Sequence, residues 1–352
     1  MNREELLPSL PPTVTEAVTR PITPPLLTTK EGWYAAYARH LKAPDLSDCA
    51  PRGTRVGPLD PRMMYHAEML PVMTPALERG LKDARRLLRV SRFRSVGRSI
   101  DMVVDGDRGA GKSTLAIQIG RGFHGMVETD FGVDPDRVPV IYLTVPPERE
   151  GNLNWAMPFA QFLGLDHTLN PKERTRRTAD MTEPIVHVMN EVKTQLVIID
   201  GIDRLRRSEI ADAFDYLECL QDRTRISYLL CGTGARDVVH EAAYDDKRAR
   251  LPKEIKGAKF RSDRPVLWAG AIRYGEDWHR VVEAFEDDLV LYDHKPKTLL
   301  GLSKYLHKRT GGYIETLSYL ICQAAQEAIE TGTEAVTKLL LDDIRTGRGD
   351  VL

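Results

Sequence analysis

Twelve residues, VVDGDRGAGKST at 103–114, hold the densest chemistry in the chain. Gly106, Gly111, Lys112 and Ser113 fit the spacing G-x-x-x-x-G-K-[ST]. Glycines let the backbone curl until successive N–H groups face one point, and a helix opening directly afterwards adds its positive end there. The cradle is the run Gly106, Asp107, Arg108, Gly109, Ala110, Gly111, Lys112, Ser113 and Thr114. Such a run grips phosphates: the Lys112 ammonium reaches the outer ones, and the Ser113 hydroxyl binds Mg²⁺. ATP and Mg²⁺ are therefore the expected cofactors. An idle glycine-rich turn would not require an apolar run before it and helix periodicity after it, and this chain has both.

A magnesium nucleotide needs a carboxylate at the end of a neighbouring strand. QLVIIDGIDRL (195–205) supplies Asp200 after four apolar residues. Metal candidates are thus Ser113 and Asp200. Hydrolysis asks for a further group that orients water near the last phosphate. Many ATPases place Glu directly after the strand aspartate, but here Gly201 follows. Asp203 is the nearest substitute, and it either takes that role or caps the helix beginning RLRRSEI. In the second case the chain is a slow hydrolase or a binding switch. A polar residue after a third strand completes the set: ISYLLCGTGARD (226–237) ends in Gly232 and Thr233. Lys112, Asp200, Asp203 and Thr233 are the expected catalytic residues.

These side chains must be carried by strands and helices in alternation. Apolar, β-branched runs occur at 100–104, 138–145, 196–200, 226–231 and 265–268, with helix-periodic stretches such as KSTLAIQIGR and EIADAFDYLECL between them. Buried strands alternating with helices imply an α/β fold with a mainly parallel sheet, ligands binding at the carboxyl ends of the strands. After about Arg273 the strand runs stop. Leu317, Leu320, Ile321, Ala324, Ala325, Ala328 and Ile329 mark one apolar helix face, so a small helical bundle is expected. The expected units are a Pro-rich arm (1–30), an N-terminal helical extension (31–98) with two helices around a Pro/Gly-rich connection, a core (99–272) and a helical lid (273–352). The arm reading rests on six prolines in those 30 residues.

Composition narrows the class further. With 352 residues, 42% hydrophobic, the chain can bury one large core or two moderate ones. Fifty Lys plus Arg against 51 Asp plus Glu leave no overall pull toward nucleic acid or anionic lipid, so any such surface is local. Four cysteines without a C-x-x-C pair speak against a zinc site or a disulfide framework. The acidic N-terminus does not read as a secretory signal, and no apolar run approaches a membrane span of roughly 18 residues. A cytoplasmic protein is the expectation.

Taken with LWAGAIRYGEDWHRVVEAFEDDL and LHKRTGGYIETLSYLICQAAQEAIETG, the order of motifs over about residues 60–345 resembles the TniB/TnsC family of AAA+ transposition ATPases. That family typically shows G-T after its third-strand motif, a Trp about ten residues before an acidic helix, and a closing S-G-G-x-I-G-E-L helix. The resemblance implies a P-loop NTPase (AAA+) three-layer core with a helical lid, ATP-dependent homo-oligomers on double-stranded DNA, and a transposase or integrase-like partner. This chain departs from the family pattern in having D-G where D-E is usual, and in lacking an arginine in GGYIETL.

In such oligomers a neighbouring subunit's arginine completes the site. DKRARLPKEIKGAKFRSDR (245–264) offers Arg248, Arg250, Arg261 and Arg264, with Arg250 and Arg264 the first to test. For DNA, Lys172, Arg174, Arg176 and Arg177 are the candidates. The basic run 82–98 reads rather as the polar face of a helix. Few aromatics accompany either cluster, which argues against base stacking on single strands. The alternative function is a stand-alone signalling NTPase that does not act on DNA. A metabolic kinase ranks third, for want of an acceptor-binding motif.

Overall fold

The computed structural model describes residues 25–39, 41–54, 56–57, 60–68, 71–93, 101–146, 154–165, 181–243 and 265–347. Most of the Pro-rich arm lies outside them. Five strands form one parallel sheet: β1 (Met102–Gly106), β2 (Val140–Thr144), β3 (Leu196–Asp200), β4 (Ser227–Gly232) and β5 (Val266–Ala269), in the order β2-β3-β4-β1-β5. Each coincides with an apolar run of the sequence to within two residues at either end. The inner strands are buried along their length because helices cover both faces.

Register aligns the carboxyl ends. Thr144 pairs with Asp200, Asp200 with Cys231, Asp105 with Gly232, and Gly106 with Ala269. Because paired residues share a face and alternate along the strand, Tyr142, Asp200 and Cys231 point to one side, and Asp105 and Gly232 to the other.

On the first side lie α1 (Lys30–Ala38), α3 (Pro75–Phe93) and α4 (Lys112–Phe131). Trp33 of α1 is fully buried there, and Gly120 of α4 makes the room: a Cβ at 120 would lie 2.7 Å from the Trp33 ring and 2.5 Å from Ile198 Cδ1. The opposite side carries α7 (Arg207–Thr224) and α8 (Ala235–Ala243), with α5 (Ala156–Phe162) and α6 (Thr182–Glu191) contributing Phe159, Phe162, Ile185 and Met189 to the same core.

A second core forms from α9 (Glu276–Asp287), α10 (Thr298–Gly301), α11 (Ser303–Thr310), α12 (Ile314–Glu330) and α13 (Lys338–Asp343). All seven residues of the apolar face read from the α12 sequence are buried. The N-terminal extension divides between the two cores. α1 and α3 pack on the sheet side, whereas Val56, Met63 and Val72 join the lid core. Between the two expected helices stands a third, α2 (Pro61–Ala67), which begins at the last residue of the Pro/Gly-rich connection read at 51–61. It forms because Asp60 accepts the Arg62 N–H as N-cap and Pro61 occupies the first helical position.

Arg62 fastens this extension to the lid. Its guanidinium makes a two-pronged pair with Asp60 (3.0 and 3.1 Å) and reaches Glu334 at 2.8 Å, with all three residues buried. Burial would raise the Asp60 carboxyl, but hydrogen bonds from Arg62 and the Ala50 N–H outweigh it and hold the group below the usual carboxylate range. Replacing Arg62 with Met leaves two buried carboxylates without their cation and is expected to cost about 3–5 kcal/mol, measurable by urea unfolding. Nearby, burial pushes the His66 imidazole down to about 4 while its Nε2 accepts the Val290 N–H at 3.3 Å. The fold therefore holds His66 neutral, and this contribution is complete above its ordinary value of about 6.5 and lost as pH falls toward 4. His66→Gln is expected to flatten the acid limb of stability between those values, as read by melting temperature against pH.

Candidate nucleotide site

The loop between β1 and α4 is curled as its glycines allow. Gly109 and Gly111 both adopt left-handed φ (77° and 78°), and Leu115 N–H to Gly111 O (2.8 Å) is an early bond of the helix. Alternating backbone hands of this kind turn consecutive N–H groups inward, and the first N–H groups of α4 lack intrahelical partners. Ser113 and Thr114 are exposed in that first turn. Lys112 arches over the loop, its ammonium donating to Asp107 O at 2.7 Å. The loop's entrance is tight: a Cβ on Gly106 would fall 1.6 Å from Ala269 O, and Asp107 N–H donates to the same oxygen at 3.1 Å.

Asp200 closes β3 beside this loop. Tyr142 donates its hydroxyl to Asp200 Oδ2 at 2.8 Å. Cys231, next in register, is fully buried, and burial followed by the Asp200 charge pushes its thiol far up, with Lys112 and Asp203 also felt there. Burial, then Asp200, likewise raises the Tyr142 phenol. Both neighbours of Asp200 are therefore kept as neutral donors, which suits a lone carboxylate facing a cation. Among the described residues no group of three or more His, Cys, Asp or Glu side chains could hold a metal by itself. The donor set fits Mg²⁺ shared with phosphates, since that ion commonly takes only one or two carboxylates from protein.

Gly201 carries left-handed φ (81°) and leads into a 3₁₀ turn, Ile202–Arg204. This turn swings Asp203 across to β4, where its Oδ1 accepts the Thr233 N–H at 3.2 Å and would lie 2.3 Å from any Cβ on Gly232. Asp203 does not cap the next helix. α7 is closed by Arg206 N–H to Glu209 Oε2 at 2.8 Å. Lys112, Asp200, Asp203 and Thr233 thus gather at the ends of β1, β3 and β4.

Asp105 was not evident as a site residue in the sequence. It is buried and accepts N–H bonds from Gly106 (2.6 Å), Gly234 (2.7 Å) and Arg236 (3.0 Å), tying the phosphate loop to the segment after β4. The available signal was an acid inside an otherwise apolar strand, VVDG.

The lid also touches the loop. Glu315 N–H donates to Gly109 O (3.2 Å), the Tyr313 hydroxyl to Asp107 Oδ2 (3.1 Å), and Ile272 N–H to Gly312 O (2.8 Å). Where an arginine was missing from the lid segment, Tyr313 stands against the phosphate loop. Arg248, Arg250, Arg261 and Arg264, and Lys172, Arg174, Arg176 and Arg177, lie outside the described residues.

Residues 101–237 match the family model described as AAA domain. Among solved structures, the Aeropyrum pernix ORC2 protein in its ADPNP–ADP complexes is similar at 18% identity and a TM-score of 0.51, covering 77% of this chain and 68% of that one. AMPPCP-bound DnaA from Aquifex aeolicus is similar at 12% identity and a TM-score of 0.42, covering 75% of this chain and 66% of that one. No curated protein matches significantly in sequence. The chain has the AAA+ P-loop NTPase fold, an α/β core with a parallel five-stranded sheet. No helix among the described residues is long and apolar enough to cross a membrane.

Gly201→Glu places the acid that many ATPases carry there directly after Asp200, in a backbone conformation that costs a side chain roughly 1–2 kcal/mol and against the Arg204 side chain. The variant is expected to melt lower than the wild type and to gain no nucleotide turnover, measured by phosphate release.

Proposed function

We propose that this protein is a magnesium-ATP-binding, slowly hydrolysing AAA+ regulator of the TniB/TnsC type, which assembles with copies of itself on double-stranded DNA and recruits or activates a transposase or integrase-like partner. The observation that carries the nucleotide part is the convergence of the curled loop, Asp200 and Asp203 at three adjacent strand ends. Backbone N–H groups of 107–114 bind the phosphates, and Lys112 neutralises the outer ones. Ser113 and Asp200 would hold Mg²⁺, which supplies charge stabilisation between the last two phosphates. Asp203, carried on the turn that Gly201 permits, orients the attacking water and accepts its proton, while Thr233 touches the terminal phosphate. Turnover is slow because one short carboxylate, itself bonded to the Thr233 N–H, replaces the customary glutamate.

The DNA part is supported by the motif order after β4 and by α3, which exposes Arg79, Lys82, Arg85, Arg86 and Arg89 along its outer side. Cations so arranged meet phosphates without reading bases. Arg250 or Arg264, from a neighbouring copy, would supply the transition-state arginine, and Lys172, Arg174, Arg176 and Arg177 further DNA contacts. The alternative, a signalling switch indifferent to DNA, shares the same pocket.

Melting with Mg-ATP at about a hundred times its dissociation constant is expected to add roughly 2.7 kcal/mol of stability, and Lys112→Ala to abolish the shift. Asp203→Asn is expected to bind ATP as the wild type does and to lose on the order of 10²-fold in turnover. Duplex DNA should stimulate turnover in a manner that falls steeply with salt. Nucleotide-driven assembly that ignores DNA would favour the signalling reading, and absence of any nucleotide shift would end both.

A further inference from the structure

Tyr142 has no part in the chemistry so far assigned, yet it makes a direct bond to the metal-side carboxylate. It sits on β2 two residues before Thr144, the register partner of Asp200. Strand alternation puts its ring on the same face as Asp200, and the phenol runs along the strand until its hydroxyl reaches Oδ2 at 2.8 Å. The ring is 4% exposed and stacks against Trp33 of α1, centroids 6.2 Å apart and planes within 12°. Trp33 is itself pinned: its Nε1 donates to His124 Nδ1 at 3.1 Å, and its ring lies over the bare backbone of Gly120. A chain of contacts thus leads from the N-terminal helix to the strand-end acid.

We propose that Tyr142 is a positioning residue for Asp200, holding Oδ2 so that the carboxylate meets the metal in one orientation, and that Trp33 braces the phenol, making helix α1 part of the metal's mount. This inference rests on the nucleotide-site reading above. A carboxylate turns freely about its last torsion, whose preference is broad. A hydrogen bond from a buried, stacked ring removes that freedom before the ion arrives, and outer partners of metal carboxylates commonly contribute about 10–100-fold in metal affinity. The competing account is that the carboxylate merely satisfies a buried hydroxyl, which must find some partner.

Tyr142→Phe separates the two, because it keeps the ring and its stack and removes only the donor. The full-length protein is titrated with a fluorescent ATP analogue in EDTA, then with Mn²⁺ at saturating analogue, free Mn²⁺ being followed by electron paramagnetic resonance. The expected result is analogue affinity in EDTA within about twofold of wild type and half-saturation by Mn²⁺ raised about tenfold. Trp33→Phe, which keeps an aromatic against Tyr142 and loses the bond to His124, should move the Mn²⁺ midpoint in the same direction by less. An unchanged Mn²⁺ midpoint in Tyr142→Phe overturns the proposal and leaves the nucleotide reading standing. Loss of analogue binding in EDTA also overturns it, since the tyrosine would then support the strand and not the acid. Failure of the wild type to bind the analogue, or to respond to Mn²⁺, removes the nucleotide reading and this inference with it.

Discussion

A single close approach organises the molecule: the backbone at Gly106 passes so near the Ala269 carbonyl that not even a methyl group fits between them. That contact joins the exit of β1 to the end of β5. The phosphate loop starts at Gly106. Three residues beyond Ala269, Ile272 bonds the lid at Gly312, so loop and lid depart from almost the same point. Gly312 repeats the device, since a Cβ there would lie 2.3 Å from Ile272 O. Two glycines thereby set the distance between the loop after β1 and the helical bundle.

The consequence is mechanical. Tyr313 and Glu315 rest on the phosphate loop through one side-chain and one backbone bond, and Ile314 comes within 3.0 Å of where a Cβ on Gly111 would be. The start of α12 therefore lies directly against the loop. That helix belongs to the second core, to which α2 is fastened by the buried Arg62, Asp60 and Glu334 cluster. The N-terminal extension thus spans both cores, with α1 and α3 against the sheet and α2 against the helical bundle.

Electrostatics at the strand ends follow a consistent plan. The buried Asp105 is spent entirely on backbone N–H groups and serves as structure. Asp200 is flanked by two donors held neutral, leaving it the sole charge of its row. Asp203 reaches the same region only because Gly201 takes a left-handed turn that a side chain would resist. Where many ATPases have D-E, this chain brings a second carboxylate to the same strand ends by a different backbone route.

Sequence alone determined the parts whose signals are local. Strand runs, the G-x-x-x-x-G-K-S spacing and the apolar stripe of α12 report nearest-neighbour physics: burial on two faces, glycine's freedom at positive φ, and a 3.6-residue period. Asp200 was readable because four apolar residues precede it. The start of helix α2 carries a local signal in Asp60 and Pro61 that went unread, whereas its docking depends on Arg62 meeting Glu334, 272 residues away, which no window of sequence contains. For Asp203 the sequence left a helix cap open, and the turn at Gly201, which carries it to Thr233, removes that reading. Tyr142 looked like one more strand aromatic, because its relation to Asp200 depends on β2 lying next to β3, and strand order is decided by crossover packing of the whole chain. What only the tertiary structure decided, in each case, was which distant residue stands within hydrogen-bonding distance, since desolvated polar groups take their partners from the assembled fold and not from their neighbours along the chain.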